Sequence, residues 1–494
     1  MNHQITRLAV TAVVLLASLI VATTYWQAWA ATGLADRQDN AIQLVAQLEV
    51  KRGEIYAGRT VVATNVRRRI KGQTFFFRRY PTRGLFAHVV GYSTQVRSRA
   101  GLEQSLNDFL TGANTNLSTV LDTTLDKLRG STIEGNDVHL TLRPGPQRIA
   151  YEQLAGRCGA VVALEPDTGR VLVMASNPTY DPNLVERNYA QIERRAAPCP
   201  GGAPLLNRAT AGLYAPGSTF KVVTAAAALD SGKVTPSTTF VDPGYCEEYG
   251  DRVNNYDTTR PFGRVTFAQA LQYSVNSVFC NVGKELGGTR ILNKTKEFGF
   301  YAKPPLDTPS EEREASGLYR FTKSGRKLFF PKNDFQVDPG RLAFGQERLG
   351  VTPLQMAMAA GAVANRGVVM KPQLVERVVA PDGQTVMRLK PDALNRAMSE
   401  RTALQITPMM EAVVAAGTAP NAQLPGVRVA GKTGTAETGV AGRNTTWFIA
   451  FAPADAPKVA IAVVVENQSG TGGAISAPIA KAVMQAILPP VSNP

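Results

Sequence analysis

Ser218 and Lys221 lie three residues apart in the stretch Ala-Pro-Gly-Ser-Thr-Phe-Lys-Val-Val-Thr-Ala (215–225), and Lys221 is the only charge between Ala215 and Leu229. Residues three apart share a helix face, so the amine can reach the hydroxyl. An amine kept among apolar neighbours loses proton affinity and becomes a general base. Pro216 and Gly217 suit a helix start, where free N–H groups favour a developing anion. A second pair, Ser274 and Asn276, is two residues apart, so both can face one cleft only if the helical run from Phe267 breaks there. A short loop joining two helices is expected. Lys432-Thr433-Gly434-Thr435 contains the single Lys-Thr-Gly of the chain. On an edge strand, Gly434 would admit a substrate backbone, Thr433 and Thr435 would bind a carboxylate, and Lys432 would add positive charge. Backbone N–H groups of Ser218 and near Thr435 would form an oxyanion hole. The chemistry implied is acyl transfer through Ser218.

Two partial repeats of these patterns are set aside. Ser324-Gly325-Arg326-Lys327 copies Ser-x-x-Lys among charged residues and glycine, where the lysine stays solvated and protonated, and Ser105-Leu106-Asn107 copies Ser-x-Asn ahead of any catalytic fold. Other chemistries lack their residues. The histidines are His3, His88 and His139, so a Ser-His-Asp triad would have to borrow from the N-terminal region, where His88 and His139 read as structural. His-Glu-x-x-His and Cys-x-x-Cys are absent, and neither a metal nor a cofactor is expected.

These residues need elements to position them. "GAVVALEPDTGRVLVMAS" reads as a hairpin, with Ala160 to Leu164 and Val171 to Ala175 flanking the turn Pro166 to Gly169. Helical stretches follow from Ser218 to Leu229, Phe267 to Leu286 and Thr352 to Gly367. The chain then returns to strands at "GVRVAGKTGTAET", "TTWFIAFAP" and "KVAIAVVVEN", closed by a helix from Ser476 to Leu488. Strands at both ends with helices between describe an α+β unit: an antiparallel sheet packed between helices, its first and last strands adjacent.

The 494 residues are too many for one core, and 44% hydrophobic with 19% charged is ordinary globular composition. A net charge of +15 implies anionic neighbours, whether nucleic acid, acidic headgroups or a substrate bearing carboxylates and phosphates. After Arg7, an apolar run from Leu8 to Thr24, closed by Tyr25, Trp26 and Trp29, is long enough to cross a bilayer. The positive-inside rule puts the N-terminus in the cytoplasm and the remainder outside, away from nucleic acid. Ala28-Trp29-Ala30 also fits a signal-peptide cleavage site, the alternative to an anchor. In an exported chain, Cys158, Cys199, Cys246 and Cys280 allow up to two disulfides in three pairings; chain order favours 158 with 199 and 246 with 280, and buried free thiols are the alternative. The expected organisation is a cytoplasmic tail (1–7), a transmembrane anchor (8–29), a β-rich accessory domain (30–143) and the catalytic domain (144–494). The basic stretch Arg67 to Arg83 in the accessory domain is either a solvated face or a contact for anionic lipid or substrate phosphate.

The ordered triple Ser-x-x-Lys, Ser-x-Asn, Lys-Thr-Gly is the signature set of penicillin-recognising serine enzymes. With "RGEI" (52–55), "YPTRGLFAHVVGY" (80–92), "GLE" (101–103), "GAVVALEPDTGRVLVMASNPTYDPN" (159–183) and "FGQERLGVTPLQMA" (344–357), the chain resembles the class B penicillin-binding proteins over nearly its whole length, most like the actinobacterial penicillin-binding protein A group. Many class B members follow Arg-Gly-x-Ile with Asp-Arg, where Tyr56-Ala57-Gly58 stands here. The resemblance implies a monofunctional peptidoglycan D,D-transpeptidase of cell division or elongation, inhibited by β-lactams. Its substrates would be stem peptides and the lipid-linked precursor, its partners division or elongation proteins, and its accessory domain a dimerisation or pedestal unit. It also implies roles: Ser218 as nucleophile, Lys221 as base, Ser274 as proton relay, Asn276 holding the substrate amide and Lys221, with Thr433 and Thr435 on the terminal carboxylate. A D,D-carboxypeptidase or β-lactamase, passing the acyl group to water, and a non-catalytic scaffold are the alternatives.

Overall fold

Strand runs without polar alternation, such as Val-Ala-Ile-Ala-Val-Val-Val, are expected where both faces of a sheet are covered. The computed structural model describes residues 2–25, 48–95, 97–113, 134–193, 199, 202–258, 261–323 and 325–489. Along the chain run helix α1 (Asn2–Thr24), strands β1 (Ile55–Ala57), β2 (Thr60–Ile70), β3 (Gln73–Arg79) and β4 (Asp137–Leu140), helix α2 (Pro144–Gln153), and strands β5 (Gly159–Leu164) and β6 (Val171–Asn177). Helices α3 (Lys221–Asp230), α4 (Phe267–Gln272), α5 (Asn276–Leu286) and α6 (Pro353–Ala364) come next, then strands β7 (Val375–Val379) and β8 (Thr385–Arg388). Strands β9 (Ala430–Glu437), β10 (Asn444–Ala452) and β11 (Val459–Gln468) and helix α7 (Gly472–Ile487) complete the order.

The central sheet runs β9-β10-β11-β5-β6 and is antiparallel throughout, with β11, the last strand, paired to β5, the first. Its two-residue period splits the core. Val161, Phe448, Ala450, Ile461 and Val463 pack toward α2 and α7, whereas Val162, Trp447, Ile449, Ala462 and Val464 pack with α3 and α6. This is the expected α+β plan, helices on both faces of an antiparallel sheet. The disulfides are Cys158–Cys199 and Cys246–Cys280, the pairing that chain order favours.

A second sheet runs β8-β7-β4-β1-β2-β3, with β1 parallel to β4. It draws β7 and β8 from far along the chain onto the open edge of β4, so the N-terminal sheet is completed by residues that follow α6. His139 on β4 stacks on Tyr56 with ring centroids 5.1 Å apart. Helix α1 is long and apolar enough to cross a membrane. Trp26, Trp29 and the Ala28-Trp29-Ala30 site lie outside the described residues.

His88 is buried, its Nε2 lies 2.8 Å from the Pro204 carbonyl oxygen, and its ring meets Tyr180 edge to face. Burial pushes its pKa from 6.5 down to about 4. The unfolded chain therefore binds the proton first as pH falls, so stability is complete above about 6.5 and is lost progressively toward about 4. At about pH 5 the loss from this group is about 2 kcal/mol. His88→Gln, which keeps an N–H donor but does not titrate, should flatten the fall of Tm with pH between neutral and acid; an unchanged slope would assign the acid sensitivity to other groups.

Candidate active site

The serine turn is stapled to the edge of the central sheet. Gly217 to Phe220 form one 3-10 turn leading into α3, with Gly217 at φ +52°, a left-handed conformation that favours glycine. A Cβ on Gly217 would meet the Thr435 carbonyl oxygen at 2.9 Å, and one on Gly345 would meet the Gly217 carbonyl oxygen at 2.2 Å. The Trp447 indole N–H donates to the Ala215 carbonyl at 3.0 Å and Gly217 N–H to Gly345 at 3.2 Å. Close approach at these points places the backbone of the serine turn against β9.

Three distant segments then meet. The helical run from Phe267 breaks at 273–275, between α4 and α5, and Ser274 sits in the break at φ +60°. Lys221, the first residue of α3, and Lys432 on β9 are both completely buried. The Lys221 Nζ lies 2.7 Å from the Ser274 carbonyl oxygen, 2.7 Å from Asn276 Oδ1 and 3.2 Å from Ser274 Oγ. From the other side, Lys432 Nζ lies 2.9 Å from Ser274 Oγ and 3.1 Å from the Thr433 carbonyl oxygen. One hydroxyl thus bridges two buried amines.

Their electrostatics follow from that burial. Desolvation, and then the neighbouring charge of Lys432, hold Lys221 well below the ordinary lysine range, while burial pushes Lys432 down to about 7. The three oxygens around the Lys221 Nζ match the three donors of a protonated amine, and a neutral amine is served as well once the Ser274 hydroxyl turns to donate to its lone pair. Asn276 is oriented for this because its Nδ2 donates to the Asn254 carbonyl at 3.0 Å, leaving Oδ1 to face the lysine. Ser218 Oγ is not among the partners of Lys221, so the reach expected from their spacing is not a formed hydrogen bond here; Lys221 is held by Ser274 and Asn276 instead.

Ser218, Ser274, Asn276, Thr433 and Thr435 line a cleft of about 850 Å³, with Lys221 and Lys432 beneath its floor. Gly434 differs from its expected part. The space its Cβ would need is taken by the Pro216 carbonyl oxygen at 2.7 Å, so it makes room for the serine turn and does not line the cleft. Thr435 Oγ1 accepts from Gly472 N–H at 3.3 Å, at the start of α7. The two repeats fall elsewhere: Asn107 Oδ1 accepts from Arg52 at 2.9 Å, Lys327 is exposed, and Ser324 lies outside the described residues.

The chain matches the penicillin binding protein transpeptidase domain over residues 159–485 and the penicillin binding protein A dimerisation domain over 52–138. It is 34% identical to the peptidoglycan D,D-transpeptidase PbpA of Mycobacterium tuberculosis across 99% of both chains. The chain belongs to the penicillin-binding protein transpeptidases. It is also 31% identical to the peptidoglycan D,D-transpeptidase MrdA of Acinetobacter baumannii over 84% of this chain and 66% of that one. Among solved structures, the imipenem acyl-enzyme complex of M. tuberculosis penicillin-binding protein A superposes with a TM-score of 0.78 at 31% identity, over 89% of this chain and 99% of that one. The penicillin G acyl-enzyme of the same relative gives 0.74 at 33% identity, over 88% and 99%.

The sequence reading missed three supports of this site in a penicillin-binding chain. Thr418 Oγ1 meets Thr433 Oγ1 at 2.6 Å; Gly345 admits the serine turn; and Asp242, 1% exposed, ties the cleft wall together. Asp242 accepts from Gly244 N–H, Phe262 N–H, Asn255 Nδ2 and the Ser277 hydroxyl, and Asn255 Oδ1 accepts from Ser277 N–H beside Asn276. Burial alone would raise the Asp242 pKa, but those hydrogen bonds outweigh it and hold the carboxyl below its ordinary value. No spacing in the sequence marks such a residue, because its partners come from separate turns. Asp242→Ala leaves several buried polar groups unpaired and should destabilise the fold by about 3 kcal/mol. It should also slow acylation by penicillin at temperatures where the variant remains folded; wild-type Tm and acylation rate would remove Asp242 from this role.

Proposed function

We propose that this chain is a membrane-anchored peptidoglycan D,D-transpeptidase acting through a Ser218 acyl-enzyme. The observation that carries the reading is the pair of buried amines bridged by Ser274 Oγ beneath the cleft that Ser218 lines. Neutral Lys221 takes the Ser218 proton as Oγ attacks the penultimate D-alanine carbonyl carbon of a stem peptide. The backbone N–H groups of Ser218 and Thr435 hold the resulting oxyanion. Ser274 passes a proton from the lysines to the departing amine, the carbon–nitrogen bond breaks, terminal D-alanine leaves, and Ser218 carries an ester. The amine of a second stem peptide then attacks that ester, its proton returns through Lys221, and Ser218 regains its hydroxyl. A β-lactam enters the same first step through its ring amide.

Lys432, Thr433 and Thr435 bind the substrate carboxylate, and Gly434 supports them by letting the serine turn pack against β9. Residues 8–29 anchor the chain, 30–143 form an accessory dimerisation or pedestal unit, and 144–494 catalyse on the extracytoplasmic face. An apolar N-terminal helix and two disulfides support that placement. The lipid-linked precursor and proteins of division or elongation are the corresponding partners.

Labelling with a fluorescent penicillin and mapping the modified peptide should place the label on Ser218. Ser218→Ala should reduce labelling by about a thousandfold or more. A label on another serine would sink the assignment. With paired stem peptides, cross-linked product should exceed the free acid; release of D-alanine without cross-linking would instead make the chain a carboxypeptidase.

The pH profile separates the two lysines. The carboxylate site needs Lys432 charged, so acylation should fall as pH rises through about 7. Lys432→Arg, which does not lose its proton near neutrality, should remove that alkaline limb whatever it does to the maximal rate. Persistence of the limb would assign it to another group.

A further inference from the structure

We infer that the tip of the β2–β3 ribbon docks on anionic phospholipid headgroups of the membrane that anchors the chain. Beyond Ala63, β2 leaves its pairing with β1 and continues with β3 alone, from Thr64↔Arg79 out to Ile70↔Gln73. Lys71 and Gly72, at φ +49° and +86°, close the tip. Arg67, Arg68, Arg69 and Lys71 are exposed there and form no ion pair among the described residues, and Ile70 at the end is 47% exposed. No acidic residue occurs between Glu54 and Glu103. Charges of this kind also keep sheet edges from pairing, but edge protection does not call for an exposed isoleucine at the tip.

The ribbon is also the place where the described chain rejoins the folded body after α1. The described chain resumes after α1 at residue 48, beside this ribbon: Leu48 lines a small pocket with Phe76 and Phe77, and Glu49 accepts a hydrogen bond from the Gln73 side chain at the tip. The ribbon is thus the part of the folded body beside which the described chain resumes after the apolar helix, and among the described residues Glu49 is the one carboxylate near the tip, held by Gln73. Three arginines and a lysine on the two faces of the tip, with Ile70 on the face of Arg68, offer cations to phosphates and an apolar side chain to the acyl layer.

The inference rests on the anchored reading. Full-length chain carrying Ile70→Cys, labelled with an environment-sensitive dye, is reconstituted in phosphatidylcholine vesicles with or without phosphatidylglycerol, with nitroxide on the headgroups. Quenching should be at least about threefold stronger with phosphatidylglycerol and should weaken in about 1 M salt. It should vanish when Arg67, Arg68, Arg69 and Lys71 are all replaced by Gln, while penicillin labelling of Ser218 stays unchanged. Equal quenching in both lipids, quenching that survives the fourfold replacement, or energy transfer between dyes on two copies without lipid quenching would overturn the inference. Release from the vesicles by an alkaline carbonate wash would overturn the anchor itself, whereas retention without quenching would overturn only the docking.

Discussion

Two fully buried lysine amines share one hydroxyl that lines the cleft, and this constraint organises the catalytic unit. Lys221 and Lys432 are fully buried on either side of Ser274 Oγ, at 3.2 and 2.9 Å. Two ammonium groups so placed, with no carboxylate among the described residues bonded to either, repel each other and lose hydration together, which lowers the proton affinity of both. Lys221 feels both burial and the charge of Lys432. Placement alone therefore weakens the hold of Lys221 on its proton.

That placement requires backbone segments to approach more closely than side chains usually allow. The serine turn touches β9 because residues 217 and 434 carry no Cβ, and it is backed by Gly345 for the same reason. The indole of Trp447, fully buried on β10, reaches through to hold Ala215. Close packing of this kind is stiff, which suits the nucleophilic part proposed for Ser218, since a nucleophile has to meet a carbonyl carbon at a set distance.

Asp242 extends the same logic to the opposite wall. Its carboxylate ties Gly244, Asn255, Phe262 and Ser277 into one buried network, and Ser277 follows Asn276 directly. The amide that holds Lys221 is in this way fixed from behind. At the other end of the molecule, β7 and β8 complete the N-terminal sheet, so the two units share strands and are joined by more than a linker.

The local chemistry was legible in the residues themselves. A lone lysine in an apolar stretch, a serine and asparagine two apart, and the single Lys-Thr-Gly announce a buried amine, a helix break and an edge strand, because each depends on spacing over a few positions. The uninterrupted apolar strands likewise revealed a sheet covered on both faces. Only the tertiary structure decided that Ser274 would stand between both amines, that Lys221 would bind Ser274 and Asn276 in preference to Ser218, and that Gly434 serves packing. The same holds for Asp242 and for the strands that β4 recruits from beyond residue 370. The reason is physical: spacing along a chain governs which side chains share a face, whereas contacts between segments far apart in sequence exist only once sheet and helices have packed.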